Sequence, residues 1–375
     1  MKNDLMGLIL AENPEAGMGE LVAVRSLAAV PFGGRYRIID FVLSNMVNSS
    51  IINVGIATPY NYQSLSDHLG TGKTWDLDRK VNGLFILPPK EIAEPGELRG
   101  GVDTLNGIMH YLAKSKQNYV LIAECNALCN IDYSEVLKEH IESEADITLI
   151  YNKTDDLDRK ELSSRILLDV DDDKRVRDIH VYPIKQKTSC SYMHMMMIKR
   201  SLLMELVGDA AAHNKHYLSR DILLPNVDRL KINGYEYTGY CRQVNNVKAF
   251  FNANLDILNK DIREELFGLN NDMPIYTKVK DTVPTKYATK AEVSNALVAD
   301  GCLIEGTVRN SILFRGVHVG KGATVENCIL MQDSEVMDNC LAENVIFDKE
   351  VILRNGKKLV GQKTYPMVIE KKTII

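Results

Sequence analysis

The chain has no excess of basic residues. Lys and Arg number 45 against 50 Asp and Glu, a net charge of −5. That removes the electrostatic footprint expected of a nucleic-acid or anionic-membrane partner. No apolar run approaches the roughly 18 residues a membrane span needs. The opening residues have too short an apolar run, before acids and a proline, for a secretory leader. Gly7–Ala11 is instead expected to be a first buried strand. Cysteine is scarce, scattered and odd in number, with seven in all. Only Cys125 and Cys129 are close in sequence, and no second pair completes a zinc site. Reduced thiols and a cytoplasmic location are therefore expected. What is present, 375 residues at 45% hydrophobic and 25% charged, is the composition of a soluble globular protein. That length suits two domains.

Short apolar stretches alternate with helical periodicity through the first two thirds. Strands are expected at Gly7–Ala11, Ile51–Ala57, Tyr119–Ala123, Ile147–Tyr151 and Met193–Ile198. Helices are expected over Asp103–Lys114, Tyr133–Glu144 and Lys248–Leu266. This alternation predicts an α/β domain with a mostly parallel sheet. The charged segment Leu157–Val176 reads as a peripheral excursion. After Ala291 the pattern changes to aliphatic residues at six-residue spacing: Val298 and Ile304, Val319 and Val325, Leu341 and Phe347. Such hexads predict a parallel β-helix of about four turns. The boundaries drawn are 1–247 for the α/β domain, 248–290 for a helical and extended linker, and 291–375 for the β-helix.

The most distinctive stretch is Pro31–Asn45, in which Gly33-Gly34 is followed by Arg35-Tyr36-Arg37 and the start of an apolar helix. A Gly-Gly pair permits φ > 0 and close backbone approach. This stretch resembles the signature of the ADP-glucose pyrophosphorylases (glucose-1-phosphate adenylyltransferases). Further similarity lies in Thr58-Pro59-Tyr60 with Ser64-Leu65 and His68, Arg99–Asp103, Phe250–Leu258 and Pro274–Thr277. The resemblance implies a Rossmann-like nucleotidyltransferase domain followed by a C-terminal left-handed parallel β-helix. It also implies a reaction in which glucose 1-phosphate attacks the α-phosphorus of ATP, with Mg²⁺ and cations neutralising the triphosphate.

The chain departs from that family where the chemistry would occur. Counting back without gaps from Arg25, the family's glycine-rich phosphate loop falls on Ala11–Met18. Glu12 and Glu15 stand on the ground of the phosphates, and Gly17 stands for a clamping arginine. Two unit charges about 4 Å apart repel by roughly 4 kcal/mol at an effective dielectric of 20, or about three decades of affinity. Leu27 replaces a lysine. Asn126 and Gln243 replace the two metal-binding aspartates, and neutral amides hold Mg²⁺ poorly. The resemblance is thus to the non-catalytic, D-type companion subunits. It implies no catalytic residues or metal site, and no cofactor of its own, Mg²⁺ being required only by a catalytic partner subunit. It also implies a regulatory hetero-oligomer in glycogen synthesis, with homo-oligomers open for the chain alone.

Arg25, Arg35 and Arg37 are the candidates for binding an anionic sugar-phosphate effector, against a purely structural reading as ion pairs. A proline but no Glu-Lys stands near His180–Pro183, and Lys185 and Lys187 read as surface. Met193–Met197 read as core, His318 as surface, and Trp75 has no assigned role. Two alternatives stay open: an active adenylyltransferase using Glu124 or Asp103 as substitute metal ligands, and a free-standing sugar-phosphate sensor.

Overall fold

A computed structural model describes residues 4–11, 17–58, 61–88, 100–155, 157 and 159–375. Glu12 and Glu15 lie outside them, as do Pro59, Tyr60 and Arg99 of the family-like motifs. Contacts divide the chain into two compact groups, 1–14 with 41–243 and 15–40 with 244–375. Linear boundaries could not express this grouping, because the described residues 17–40 group with the C-terminal part.

The first group is built on a nine-stranded sheet. Its strands are β1 (Leu5–Leu10), β2 (Asn53–Ala57), β3 (Gly83–Leu87), β4 (Tyr119–Glu124), β5 (Ile147–Lys153), β6 (Ile166–Val170), β7 (Val176–Val181), β8 (Cys190–Lys199) and β9 (Ile232–Glu236). The main path runs β7-β6-β8-β4-β1-β2-β3, with β5 between β8 and β9. β1 is parallel to both β2 and β4, so it is buried on both faces and reads as an unbroken apolar run. β8 runs antiparallel to β4 and β5. Its methionines Met193, Met195, Met196 and Met197 are all buried, as the core reading expected.

Several expectations are corrected. The charged segment 157–176 is not wholly peripheral, since β6 lies within it and pairs with β7 and β8. Its short apolar run, Ile166–Leu168, was masked by the acidic turn at Asp171–Asp173. β3, β7 and β9 are additional strands. The helix expected over 103–114 is two, α2 (Gly101–Gly107) and α3 (Met109–Lys114), broken at Ile108 with φ −108° and ψ 14°. Gly107, a poor helix-interior residue, precedes the break. Trp75 is core: it is 1% exposed and its Nε1 donates to Ser44 Oγ at 3.3 Å. Ser44 lies on α1 (Ile38–Asn48), the helix that the Gly33-Gly34 signature leads into.

In the second group, Pro31–Phe32 pairs with Tyr36–Arg37 as a hairpin. Gly33 and Gly34 turn it at φ +59° and +86°, the left-handed region that glycine enters without strain. The helix expected over 248–266 is α5 (Val247–Asp256) and α6 (Lys260–Leu266), α4 being Tyr133–Glu142. The interruption has a cause: the Asn259 side chain accepts from Asp261 N at 2.9 Å and caps a new helix.

The β-helix is left-handed and has five coils rather than four, because three sheets of five parallel strands each form its faces. The first coil begins at Lys286–Tyr287, inside the stretch taken as linker. Buried apolar plugs repeat up the faces, as in Ile304, Val319, Val336 and Leu353, or Leu313, Leu330 and Phe347. Each corner needs a left-handed residue. One corner uses Asn295, Asn310, Asn327 and Asn344, another Gly322, Asn339 and Gly356, and a third Gly301, Gly316, Asp333 and Glu350, all with φ between +45° and +79°. Gly, Asn and Asp reach that region at low cost; a glutamate does not.

Candidate functional site

β4 ends at Glu124, and the chain turns at once into the two-residue strand Ala127–Leu128. This pairs antiparallel with Arg242–Gln243, with Gln243 opposite Ala127. The register brings Asn126 and Gln243, the two positions of the family's metal aspartates, to one place at the carboxyl end of a parallel strand. Ligands gather at such strand ends in α/β sheets. Both residues are buried, at 4% and 1% exposure. The Gln243 Nε2 donates to the Tyr192 carbonyl at 2.7 Å, so this amide is held by the end of β8.

The nearby carboxylate is also engaged. Glu124 lies 3.2 Å from His194 Nδ1. His194 stacks on Tyr192 with ring centroids 5.2 Å apart. It sits in the register shift of β8 with φ +56°, a strained conformation for a histidine. Asp103, the other substitute-ligand candidate, pairs with His216 Nδ1 at 2.8 and 3.0 Å. Mg²⁺ favours one or two carboxylates in near-octahedral oxygen geometry. A pair of buried neutral amides, one committed to a main-chain carbonyl, does not fit that ion. Among the described residues no three His, Cys, Asp or Glu side chains are grouped to hold a metal.

Gly17 and Leu27 belong to the other compact group. The Gly17 carbonyl accepts from Val247 N at 3.1 Å, and a β-carbon on Gly17 would run into the Asn245 carbonyl oxygen. A side chain is therefore excluded where the family has a clamping arginine. Leu27 opens the short 3-10 helix Leu27–Ala29, whose three side chains are all buried. It is packing, with no charge to offer a phosphate.

The arginines tell a different story. Arg25 is 3% exposed and forms an ion pair with Asp348, itself 1% exposed. The β-helix register explains why a carboxylate is there. Gly316 N donates to Asp300 O, Asp333 N to Arg315 O, Glu350 N to Gln332 O and Lys372 N to Lys349 O. These bonds align Asp300, Arg315, Gln332 and Lys349 as one column at a corner. The preceding column is Ala299, Phe314, Met331 and Asp348. Asp348 is thus a carboxylate in an otherwise apolar column, and Arg25 neutralises it.

Cations exceed anions around that pair. The Lys349 ammonium is lowered to about 8, first by burial and then by Arg37 and Arg25. Arg315 is 8% exposed and is lowered by burial and then by Arg35. Arg35 is exposed and Arg37 half-buried. All three sequence-predicted arginines therefore lie along one β-helix corner, Arg25 and Arg37 toward Lys349, and Arg35 toward Arg315. The Arg25 Nη1 is buried without a hydrogen-bond partner. Lys349 and Arg315 were missed from sequence. The signal was their 34-residue separation, two coils of 17, which becomes legible only once the coils are aligned. Lys185 and Lys187 are exposed, and His318 is half-buried, with its Nε2 3.2 Å from Glu305.

The fold and these positions define a nucleotidyl transferase scaffold joined to a hexapeptide β-helix. The family model described as Nucleotidyl transferase matches residues 21–259, and that described as GlmU-like, C-terminal hexapeptide matches 280–364. The Glycogen biosynthesis protein GlgD of Bacillus subtilis (strain 168) is 35% identical, over 98% of this chain and 96% of its own length. That of Geobacillus stearothermophilus is 38% identical over 100% and 98%. A Glucose-1-phosphate adenylyltransferase of Bacillus anthracis is 30% identical over 98% of each chain. The chain belongs to the GlgD family of glycogen biosynthesis proteins, related to the glucose-1-phosphate adenylyltransferases.

Proposed function

We propose that this chain is a regulatory subunit of ADP-glucose pyrophosphorylase in cytoplasmic glycogen biosynthesis, with no catalytic turnover of its own. One observation carries the reading: buried amides, Asn126 and Gln243, meet where metal-binding carboxylates would be needed, and Gln243 is committed to the Tyr192 carbonyl. Mg²⁺ is then a requirement of the catalytic partner alone. No helix among the described residues is long and apolar enough to cross a membrane.

The regulatory input on this reading is an anionic sugar phosphate held at the β-helix corner by Arg25, Arg37 and Lys349. Arginine forks suit phosphate oxygens, and Arg25, Arg37, Lys349 and Lys371 gather there against the buried carboxylates of Asp348 and Asp40. Binding there is coupled to the catalytic neighbour through the shared assembly.

The test is activity of the purified chain alone, at high protein with ATP, glucose 1-phosphate and Mg²⁺, then after co-expression with the catalytic subunit. Expected are no turnover alone, co-purification, and an altered maximal rate or effector response in the complex. Turnover alone that disappears in Glu124→Gln would overturn the reading. So would separate elution with unchanged kinetics of the catalytic subunit.

A further inference from the structure

Seven cysteines are free and six are buried. Cys125 and Cys129, neighbours in sequence, are not the pair that the fold opposes. In the small antiparallel ladder Arg242 faces Leu128 and Gln243 faces Ala127. One step further the same register sets Cys241 opposite Cys129. Directly opposed residues of antiparallel strands have Cα atoms roughly 4.5–5.5 Å apart, inside the roughly 4.4–6.8 Å span that a disulfide bridges. The two thiols are also close enough to act on each other, since Cys241 adds to the rise that burial imposes on Cys129.

Their surroundings differ in a useful way. Cys129 is fully buried, and its carbonyl is fixed by Asn45 Nδ2 at 2.9 Å. Cys241 is the one cysteine that is half-buried rather than buried, and it is faced by Arg165 and Arg242, which favour its thiolate. Burial still pushes the Cys241 thiol up to about 12, so it reacts slowly and stays reduced without an oxidant in excess.

We propose that Cys129 and Cys241 form a redox-active dithiol that closes to a cross-strand disulfide, with a low-molecular-weight disulfide such as oxidised glutathione as oxidant. The Cys241 thiolate attacks one sulfur of the small disulfide, forming a mixed disulfide and expelling one thiolate. Cys129 then attacks the Cys241 sulfur, the second small thiol leaves, and the two cysteines have lost two electrons and two protons in total. The bond would pin the two strands that carry Gln243 and Ala127, at the end of β4. It would also close a loop of roughly 110 residues, a large constraint on the unfolded chain.

The experiment uses the full reduced chain, incubated natively with excess oxidised glutathione. Remaining thiols are then blocked and the chain is digested without reduction. Expected are a linked peptide joining Cys129 to Cys241, a fall in free thiols from seven to five, and a Tm rise of about 3 °C or more that dithiothreitol reverses. Cys241→Ser, at the less buried position, should keep the fold and abolish all three changes. A count that stays at seven would overturn the proposal. So would a linkage between other cysteines, a glutathione adduct on Cys241 that never resolves, or an unchanged response in Cys241→Ser.

Discussion

Replacing Asp348 by Asn tests how the segment that carries Arg25 is held to the β-helix. Both partners of the Arg25–Asp348 pair are almost wholly removed from water, with side chains 4% and 2% exposed. Removing one partner of such a pair typically costs about 3–5 kcal/mol, mainly because the other charge is left buried and uncompensated. Here the orphaned guanidinium would also face the Lys349 ammonium, so the upper half of that range is expected. Urea unfolding followed by a probe in the C-terminal group would report the loss. The anion reading adds a second arm. An added phosphate monoester should stabilise Asp348→Asn more than the parent, because it takes the place of the missing carboxylate. At 100 times its Kd a ligand contributes about 2.7 kcal/mol. Phosphate also stabilises folded chains without binding, so the informative quantity is the difference between the two proteins in identical buffer. A loss under about 1 kcal/mol would refute the account of the pair. Equal gains from phosphate would refute the account of the anion site while leaving the pair intact.

His140 should make stability pH-dependent. Burial, then Lys199, lowers it from 6.5 to about 4, and its Nδ1 lies 2.8 Å from Thr148 Oγ1. The folded value is the lower one, so the unfolded chain protonates first. Stability from this group is complete above pH 6.5 and falls as pH drops toward 4, by up to about 3 kcal/mol; His140→Gln should flatten that slope in denaturant titrations. Glu350→Gly should raise stability by about 0.5–1 kcal/mol, since Glu350 holds φ +62° where earlier coils have Gly301 and Gly316; its surface pairs with Lys371 and Lys372 contribute little. A lower Tm would contradict this. Gln243→Asp should cost about 1–3 kcal/mol, because it exchanges a donor at 2.7 Å from the Tyr192 carbonyl for a buried carboxylate; equal stability by thermal unfolding would show that the amide is not held as described.

Much of the fold was legible because local patterns report it. The apolar run Leu5–Leu10, the methionine-rich β8 and the hexads of the β-helix each carry their own periodicity. Errors fell where a local signal was weak or overridden. β6 hid beside an acidic turn, and Asn259 restarted a helix that hydrophobic spacing alone ran through. The fifth coil was lost because its first strand, Lys286–Tyr287, is exposed and breaks the aliphatic rhythm. Of the site, the replaced residues were readable one by one, whereas their environments were not. Nothing in the order of amino acids says that Gly17 must be side-chain-free because Asn245 crosses it, or that Gln243 is tied to Tyr192.

The amino-acid order alone determined the class of scaffold. It also sets amides, a leucine and acids at the positions that correspond to the family's cations and metal carboxylates, and side-chain type does not depend on folding. Only tertiary structure decided what the charged residues do instead. A coil repeat of 17 residues stacks Arg315 and Lys349 on one corner, the chain's early segment brings Arg25, Arg35 and Arg37 to it, and strand register sets Cys129 against Cys241. Electrostatics depends on distance and burial, and both are properties of the folded chain.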